Sequence, residues 1–478
     1  MKKWLLAVIV CSLVATGCSR YKKISDLEEA DHSSEETKES TVAVSAQPKK
    51  PVKVKGIYIS GYMAGSQGFQ SILDKIEGTE INTVVIDVKN DDGRITFAME
   101  GAPTVKEIGA EERYIKDMDA LMAELKARGL YTIARVVAFR DPYLAEKKPE
   151  WSLKNKDGSL HRDNKGLAWV NPYRQEVWDY LVEVGTEASK AGFDEVQFDY
   201  IRFATDRSMK QVVFDEADTK GRSKTEVITE FIQYAYEKLS DRDIFVSADV
   251  FGTIIGSRVD AEAVGQVYHD MAQHLDYICP MIYPSHYGDG NFGIDHPDTE
   301  PYRTILAALE LSKKDLAEGR KSGEKQAIVR PWLQDFTASY LKDHISYGPK
   351  EVRAQIQAVY DAGYDEWILW SASNRYTWDG LLSKEEGKKE EKEIARVRQS
   401  REALTSPDET SAANSNAEAE EQERSKEAEK SLEGKIAVEE TIRQEESMEL
   451  KETVTKEKNK KTRKKPDVVI ITTGGTGH

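Results

Sequence analysis

Two aspartates each close a mostly apolar run of the sequence, Asp199 in VQFD and Asp249 in VSAD. A pair of carboxyl groups can cleave a glycosidic bond when one, protonated, gives its proton to the leaving oxygen and the other, ionised, attacks or activates water. Arg202 and Arg135 offer positive charge that would keep Asp199 ionised. The apolar Phe251 beside Asp249 would raise the pKa of that carboxyl and suit it to the acid role. The predicted catalytic pair is therefore Asp199 and Asp249.

Eight runs rich in β-branched and aromatic residues alternate with helical patterns and must position these carboxyls. The strand-like runs cover 54–62, 82–89, 130–139, 193–203, 243–251, 276–284, 326–336 and 364–371. The helical patterns between them include 118–128, 175–191, 224–239, 261–275, 301–316 and 351–362. This alternation predicts an α/β fold, a (β/α)8 TIM barrel over residues 53–382. A doubly wound open sheet is the alternative, but no glycine-rich phosphate loop follows the first strand.

Strand alternation predicts which side chains point into the mouth of such a barrel, where active sites form. Charges buried there are costly unless they pair or act on a ligand. For Asp87 with Lys89 or Arg135, a purely structural ion pair is the alternative. Phe198 and Tyr200 should face the helices instead. The predicted substrate-binding residues are Asp87, Lys89, Arg135, Gln197, Arg202, Tyr283, His286, Trp332, Gln334, Asp335 and Trp370.

Aromatic residues near the predicted mouth favour a carbohydrate ligand. Trp332, Trp370 and Tyr283 offer flat apolar faces on which pyranose rings can stack, as do Tyr62 and Trp169. Because aromatic side chains also fill protein cores, burial of the ring is the alternative for each of them.

Three runs carry a resemblance to a known family: VQFDYIRF at 196–203, SADVFG at 247–252 and CPMIYPSHY at 279–287. They resemble a bacterial family of putative glycoside hydrolase domains of the (β/α)8 type, which is distantly similar to the α-amylase-like glycosidase clan. The resemblance covers about residues 53–375 and implies a glycosidase barrel with an acidic residue at the end of the fourth strand.

The resemblance to the clan also implies roles for single residues. The clan has an aspartate nucleophile ending strand four, a glutamate acid ending strand five and an aspartate after strand seven that stabilises the transition state. Asp199 matches the first position and Asp335 the third. Strand five ends in Asp249 instead of glutamate, and Gln197 replaces the arginine that the clan has two residues before its nucleophile. The mechanism of the clan therefore does not transfer to this chain unchanged.

Three other classes of protein are alternatives. Each fits the sequence pattern either less well than a glycosidase or equally well. A metal-dependent amidohydrolase needs a His-x-His motif after strand one, where this chain has Ser60-Gly61-Tyr62, so no metal is predicted. A Schiff-base aldolase needs a lysine inside the barrel, for which Lys89 is the candidate. A carbohydrate-binding lipoprotein built on an inactive barrel remains open, and it differs by whether Asp199 and Asp249 face one cleft. No cofactor is predicted for this chain. Among the alternatives, only the amidohydrolase would need one, its metal.

The N-terminus predicts export and a lipid anchor. Residues 1–18 combine two lysines, a short apolar run and the motif Ala15-Thr16-Gly17-Cys18, as in a bacterial lipoprotein signal whose Cys18 is lipidated. An ordinary cleaved secretory signal is the alternative. Residues 19–52 are polar and predict a flexible tether. We therefore expect a protein anchored to the cell membrane and facing outside the cytoplasm, with Cys279 as buried core filler.

Composition sets limits on the rest of the chain. The 478 residues carry a formal net charge of −16, which argues against a nucleic-acid partner but is compatible with a neutral glycan polymer. Residues 383–478 contain no aromatic residue and are dominated by Glu, Lys, Ser and Ala. They predict a charged low-complexity tail, partly helical or disordered.

Overall fold

The computed structural model describes residues 50–319 and 325–404. The predicted signal with Cys18, nearly all of the predicted tether and the tail beyond residue 404 lie outside the described residues. Among the helices that are described, none is both long and apolar enough to cross a membrane.

Eight parallel strands close into a barrel, which confirms the predicted (β/α)8 fold. The first and last strands pair, with Lys55 opposite Trp367, and Trp332 of the seventh strand lies opposite Met281 of the sixth. The strands are β1 Lys55–Ile59, β2 Thr83–Lys89, β3 Tyr131–Val137, β4 Glu195–Asp199, β5 Phe245–Phe251, β6 Tyr277–Met281, β7 in two segments, Ile328–Val329 and Trp332–Gln334, and β8 Trp367–Trp370.

Helices surround this barrel and cover the outer face of its strands. Because both faces of a parallel strand are then buried, the strands are apolar in near-continuous runs. Gly192 ends the third long helix at φ 96°, a left-handed conformation that glycine adopts without strain. The helices around the barrel include α1 Gly68–Glu77, α2 Met118–Ala127, α3 Gln175–Ala191, α4 Lys224–Leu239, α5 Arg258–Val264, α6 Tyr268–Ala272, α7 Pro301–Gly319, α8 Pro349–Asp361 and α9 Lys384–Leu404.

The interior of the barrel is a separate apolar cluster, distinct from the larger core between strands and helices. Val85, Ile133, Cys279 and Trp332 belong to it and are all buried. Cys279 is a free thiol whose sulfur lies 3.3 Å from Nε2 of Gln197, so it fills the core as predicted. These residues form the floor beneath the polar residues of the mouth.

An ionic network lies toward the N-terminal ends of the strands. Arg330 contacts Glu195 and Glu366 at 2.8 Å each, and its guanidinium lies 3.8 Å from the centre of the Tyr277 ring. Arg330 and Glu195 have no exposed side-chain surface. A buried charge is tolerated only when it is paired and hydrogen-bonded, as the charge of Arg330 is here. This network is therefore structural, and it is separate from the mouth.

Helix α9 follows β8 and packs against the barrel through ion pairs. Glu390 pairs with Arg353 of α8 at 2.8 Å, Glu391 pairs with the buried Lys55 of β1 at 2.8 Å, and Arg398 pairs with Asp365. The first turns of the predicted charged tail therefore contact the first strand of the barrel and the segment before the last one.

Candidate active site

Asp199 and Arg135 form an ion pair at the C-terminal ends of β4 and β3. The Nε and Nη2 atoms of Arg135 lie 2.8 and 2.6 Å from Oδ2 of Asp199. The backbone N–H of Tyr200 donates to Oδ1 at 2.6 Å. All three donors point at this carboxylate and hold it in place, as the nucleophile or base of an acid–base pair requires.

Tyr200 adopts φ 52°, a left-handed conformation that is strained for a residue with a side chain. This turn directs the N–H of Tyr200 at the carboxylate of Asp199. The side chain lies beside Trp169 in a cluster of loop residues, and its hydroxyl accepts a hydrogen bond from Nη1 of Arg140 at 2.6 Å. The prediction that Tyr200 faces the helices was therefore wrong, because strand alternation ends at Asp199.

Asp249 lies inside the barrel near the end of β5, with 1% of its surface exposed. Its Oδ1 accepts a hydrogen bond from Nε1 of Trp332 at 2.7 Å. Burial raises the pKa of Asp249 well above its usual range, and the negative charge of Asp199 raises it further. Burial therefore favours the protonated form of Asp249, which is the form that a general acid needs.

The sheet register brings the two aspartates together. Gln197 pairs with Ser247 and Phe198 with Ala248, so the next position of β4, Asp199, stands beside Asp249 on β5. The two residues point into the same barrel, and the negative charge of Asp199 raises the pKa of Asp249.

A third buried carboxyl, Asp87 of β2, belongs to the same cluster. Its Oδ1 contacts Nη1 of Arg135 at 2.7 Å, and its Oδ2 accepts a hydrogen bond from the hydroxyl of Tyr58 at 2.5 Å. Burial raises the pKa of Asp87 to about 6, although the Arg135 charge opposes the rise. The ion pair between Asp87 and Arg135 that the sequence left open is present, and it belongs to the same network as Asp199.

Sequence analysis missed two members of this network. Tyr58 shares an inward register with the mouth residues but stands in an apolar run, KGIYI, that reads as core. Asp91 lies just after β2, where no periodicity applies, and contacts Arg135 at 3.3 and 3.4 Å. A second carboxylate so soon after Asp87 is the sequence feature that could have indicated Asp91 as a member of the network.

Aromatic rings line one side of the acid cluster. The Trp370 ring lies 4.2 Å from Tyr58 and 5.6 Å from Trp332, centre to centre. The Arg135 guanidinium lies 5.5 Å from the Trp370 ring. Trp370 is partly exposed, whereas Trp332 is buried.

The predicted orientation of Lys89 is wrong. One extra residue in β2 shifts the register, so that Asp87 pairs with Arg135 but Lys89 pairs with Val136. The bulge turns Lys89 toward the helices, where its ammonium contacts Asp141 at 2.8 Å and lies 5.8 Å from the Tyr180 ring. Lys89 has no exposed surface, and its ammonium is paired with Asp141 on the helix side of the strand.

Gln334 and Asp335, which the sequence predicts to bind substrate, are buried and hydrogen-bonded to protein groups. Gln334 accepts a hydrogen bond from Ser285 N–H at 3.1 Å and donates to Asp298 at 3.0 Å. Asp335 accepts hydrogen bonds from the Thr377 backbone and hydroxyl at 2.9 and 2.6 Å. Both residues tie neighbouring loops to the end of β7.

The remaining predicted residues surround the cluster at different depths. Gln197 is fully buried in the layer below Asp199. The Arg202 guanidinium lies 4.7 Å from the Phe251 ring, and the guanidinium of Arg135 contacts Asp199. Tyr283 and His286 meet edge to face at 4.9 Å, and burial lowers the pKa of His286 to about 3.

A family model described as "Putative glycosyl hydrolase domain" matches residues 56–376, from β1 to the loop after β8. The chain belongs to this glycosyl hydrolase domain family. The family match spans the acid cluster and the whole barrel, and it agrees with the resemblance seen in the sequence. No match to a curated protein was found.

Several solved structures are similar to this chain, and the following three have TM-scores below 0.5. A hypothetical protein from Ruminiclostridium thermocellum ATCC 27405 is 39% identical, with a TM-score of 0.38, covering 41% of this chain and 97% of that one. The PgaB (BpsB) glycoside hydrolase domain from Bordetella bronchiseptica is 12% identical, with a TM-score of 0.47, covering 67% and 94%. The α-galactosidase TtGalA from Thermus thermophilus is 14% identical, with a TM-score of 0.42, covering 73% and 63%.

Proposed function

We propose that the chain is a glycoside hydrolase in which Asp199 is the nucleophile and Asp249 the general acid. The observation that carries the proposal is the contrast between two neighbouring inward carboxyls. Arg135 holds two N–H groups against Asp199, whereas Asp249 is buried beside Trp332 with its pKa raised. Glycoside cleavage needs one ionised and one protonated carboxyl in this arrangement.

The register supports cleavage with retention of configuration. Adjacent strands lie about 4.8 Å apart, which is closer to the carboxyl separation of about 5 Å in retaining enzymes than to the wider one of inverting enzymes. In the first step, Asp199 would bond to the anomeric carbon while Asp249 gives its proton to the departing oxygen. In the second step, ionised Asp249 would take a proton from water as the water oxygen displaces Asp199.

The proposed substrate is a polysaccharide of the cell envelope or of the extracellular matrix. This part of the proposal rests on the predicted lipid anchor at Cys18 and on the aromatic rings beside the acid cluster. Anchoring outside the cytoplasm would place the barrel among such polymers.

The test compares the full wild-type chain with Asp199→Asn on a panel of envelope and extracellular polysaccharides, with release of reducing ends as the measurement. We expect Asp199→Asn to lower the rate by about 10³-fold or more, because the nucleophile is lost. Asp276→Asn is the matched control, since Asp276 precedes β6 at the opposite end of the barrel and binds the Val246 N–H. Tight glycan binding without release by the wild type would instead support a binding lipoprotein.

The assignment of the acid has its own test. Asp249→Asn should slow hydrolysis of substrates with poor leaving groups by about 10²–10⁴-fold. It should slow a dinitrophenyl glycoside far less, because that leaving group departs without a proton. Equal losses on both substrates would contradict the acid role.

A further inference from the structure

Tyr62 is the most exposed large hydrophobic side chain of the described residues, with 69% of its surface exposed. It lies on a short helix, Gly61–Ala64, that directly follows β1 and so stands at the mouth end of the barrel. The Tyr114 ring, from the segment between β2 and β3, meets it nearly at right angles, with 5.9 Å between ring centres. Two rings from separate segments thus form one aromatic surface.

The backbone that carries Tyr62 is fixed to the barrel by hydrogen bonds. Ser60 caps the short helix by accepting from the Met63 N–H at 3.3 Å, and its hydroxyl donates to Oδ1 of Asn374 at 2.8 Å. Asn374 in turn donates to the Tyr58 carbonyl at 3.1 Å. The helix is therefore held between β1 and the loop after β8.

Close backbone packing fixes the same helix from its other side. A Cβ on Gly61 would lie 2.3 Å from a methyl carbon of Thr96, and a Cβ on Gly65 would lie 2.0 Å from the Tyr114 carbonyl oxygen. Only glycine permits this approach at either position. Tyr62 is therefore an exposed ring on a rigid support, which loses little conformational freedom when a ligand covers it.

The helix that carries Tyr62 lies beside the strand that carries Asp87, because a Cβ on Gly61 would lie 3.0 Å from the Asp87 carbonyl oxygen. Tyr58, four residues before Tyr62, donates to Asp87, and Asp87 contacts Arg135 in the ion pair with Asp199. A polymer whose reacting bond lies between Asp199 and Asp249 would extend its further units across the rim of the mouth. Flat aromatic faces suit the apolar faces of pyranose rings.

We propose that Tyr62 and Tyr114 form a stacking subsite for a sugar unit of the polymer away from the bond that is cleaved. This inference rests on the proposed glycosidase function and specifies a polymeric ligand that occupies several subsites. A monoglycoside fills only the cleavage site, so its rate of hydrolysis should not depend on Tyr62.

The test measures Tyr62→Ala, Tyr62→Phe and Val397→Ala in the full chain. Val397 is an exposed apolar residue of α9 and controls for loss of surface apolar area. On long oligosaccharides of the polysaccharide that the wild type degrades, Tyr62→Ala should lower kcat/KM about tenfold and Tyr62→Phe less than about twofold. On an aryl monoglycoside, all three variants should match the wild type. Equal losses on both substrates, or no loss on the long one, would overturn the subsite.

Binding separates failure of the subsite from failure of the proposed function. Affinity for the same panel of polysaccharides is measured by titration with each variant made in the Asp199→Asn background. Tyr62-dependent binding without turnover by the wild type would support the subsite and contradict hydrolysis. Turnover by the wild type with no change in binding on Tyr62→Ala would contradict the subsite alone.

Discussion

Arg135 is the residue on which the charge balance of the barrel mouth depends. Its guanidinium contacts the carboxyls of Asp87, Asp91 and Asp199, and Asp249 stands next to the last of these. Neighbouring carboxylates in a buried site repel one another, which disfavours ionisation of all of them at once. Burial is the largest cause of the raised pKa of Asp249 and of Asp87, and repulsion from Asp199 and Asp91, respectively, adds to it.

The raised pKa of Asp87 predicts a specific pH dependence of stability. Because the pKa is about 6 when folded and about 3.8 when unfolded, the folded chain binds more protons between these values. The free energy of unfolding should therefore fall as pH rises from about 4 to about 6. Asp87→Asn removes this contribution, so its curve should be flatter than that of the wild type in urea denaturation over this range. Parallel curves would contradict the assignment.

At the residue scale, the sequence predicted members of the cluster that strand alternation reaches. Asp87, Arg135, Asp199 and Asp249 all point into the barrel as expected, because each lies within an unbroken strand before any bulge or turn. Asp91 was missed, because beyond the strand end the backbone conformation decides where a side chain points.

At the element scale, the bulge in β2 shows how one inserted residue changes the direction in which the following side chain points. Asp87 and Lys89 would share a face of a regular strand, but the shift in register sends the lysine to the helix layer and leaves the carboxyl in the mouth. No residue type in TVVIDVK marks the bulge, since Val88 fits a regular strand equally well. The positive φ of Tyr200 likewise leaves no mark in the sequence.

The new position of Lys89 predicts a structural role. Lys89→Met would leave Asp141 buried without its partner, which should lower the free energy of unfolding by about 3–5 kcal/mol. Adding Asp141→Asn should restore much of this loss, because asparagine can still accept the N–H of Leu144 while carrying no charge. Urea denaturation of both variants measures the effect. If Lys89→Met instead raised KM and left the free energy of unfolding unchanged, the structural role would be contradicted and Lys89 would act in the mouth.

Polar residues at the end of β7 show a second limit at this scale. Gln334 and Asp335 have the type and position of ligand-binding residues, yet each satisfies its hydrogen bonds within loops. The partners lie far away in sequence, at Ser285, Asp298 and Thr377. Residue type alone therefore cannot separate a substrate contact from a loop anchor.

At the scale of the whole molecule, the barrel was predictable because its pattern repeats. Eight alternations of strand and helix leave few other architectures, and small errors in bounds do not change the result. Helix α9 was less visible, because charged residues dominate it and its contacts with Lys55, Arg353 and Asp365 are ionic. Such a helix resembles a solvated charge run when only the sequence is read.

The docking of α9 predicts that the point of truncation matters. A chain ending at residue 382 loses the pairs of Glu390 with Arg353 and of Glu391 with Lys55. We expect a loss of about 2 kcal/mol and a fall in Tm of roughly 3 °C relative to a chain ending at residue 404. Thermal unfolding of the two truncations compares them directly. Equal Tm values would show that α9 adds nothing to stability.

Closure of the barrel by its first and last strands has a consequence for how the chain acquires its structure. On the edge of β1 that faces away from β2, Lys55, Gly56 and Ile57 pair with Trp367, Ile368 and Leu369. Until this last strand has been synthesised, the edge of β1 stays open, as does the edge of the second segment of β7 that β8 also covers. Contacts so distant in sequence form slowly, so the nascent chain passes through a period in which two strand edges can pair with other chains. Synthesis interrupted before Trp367 should therefore yield aggregates and not a smaller soluble domain.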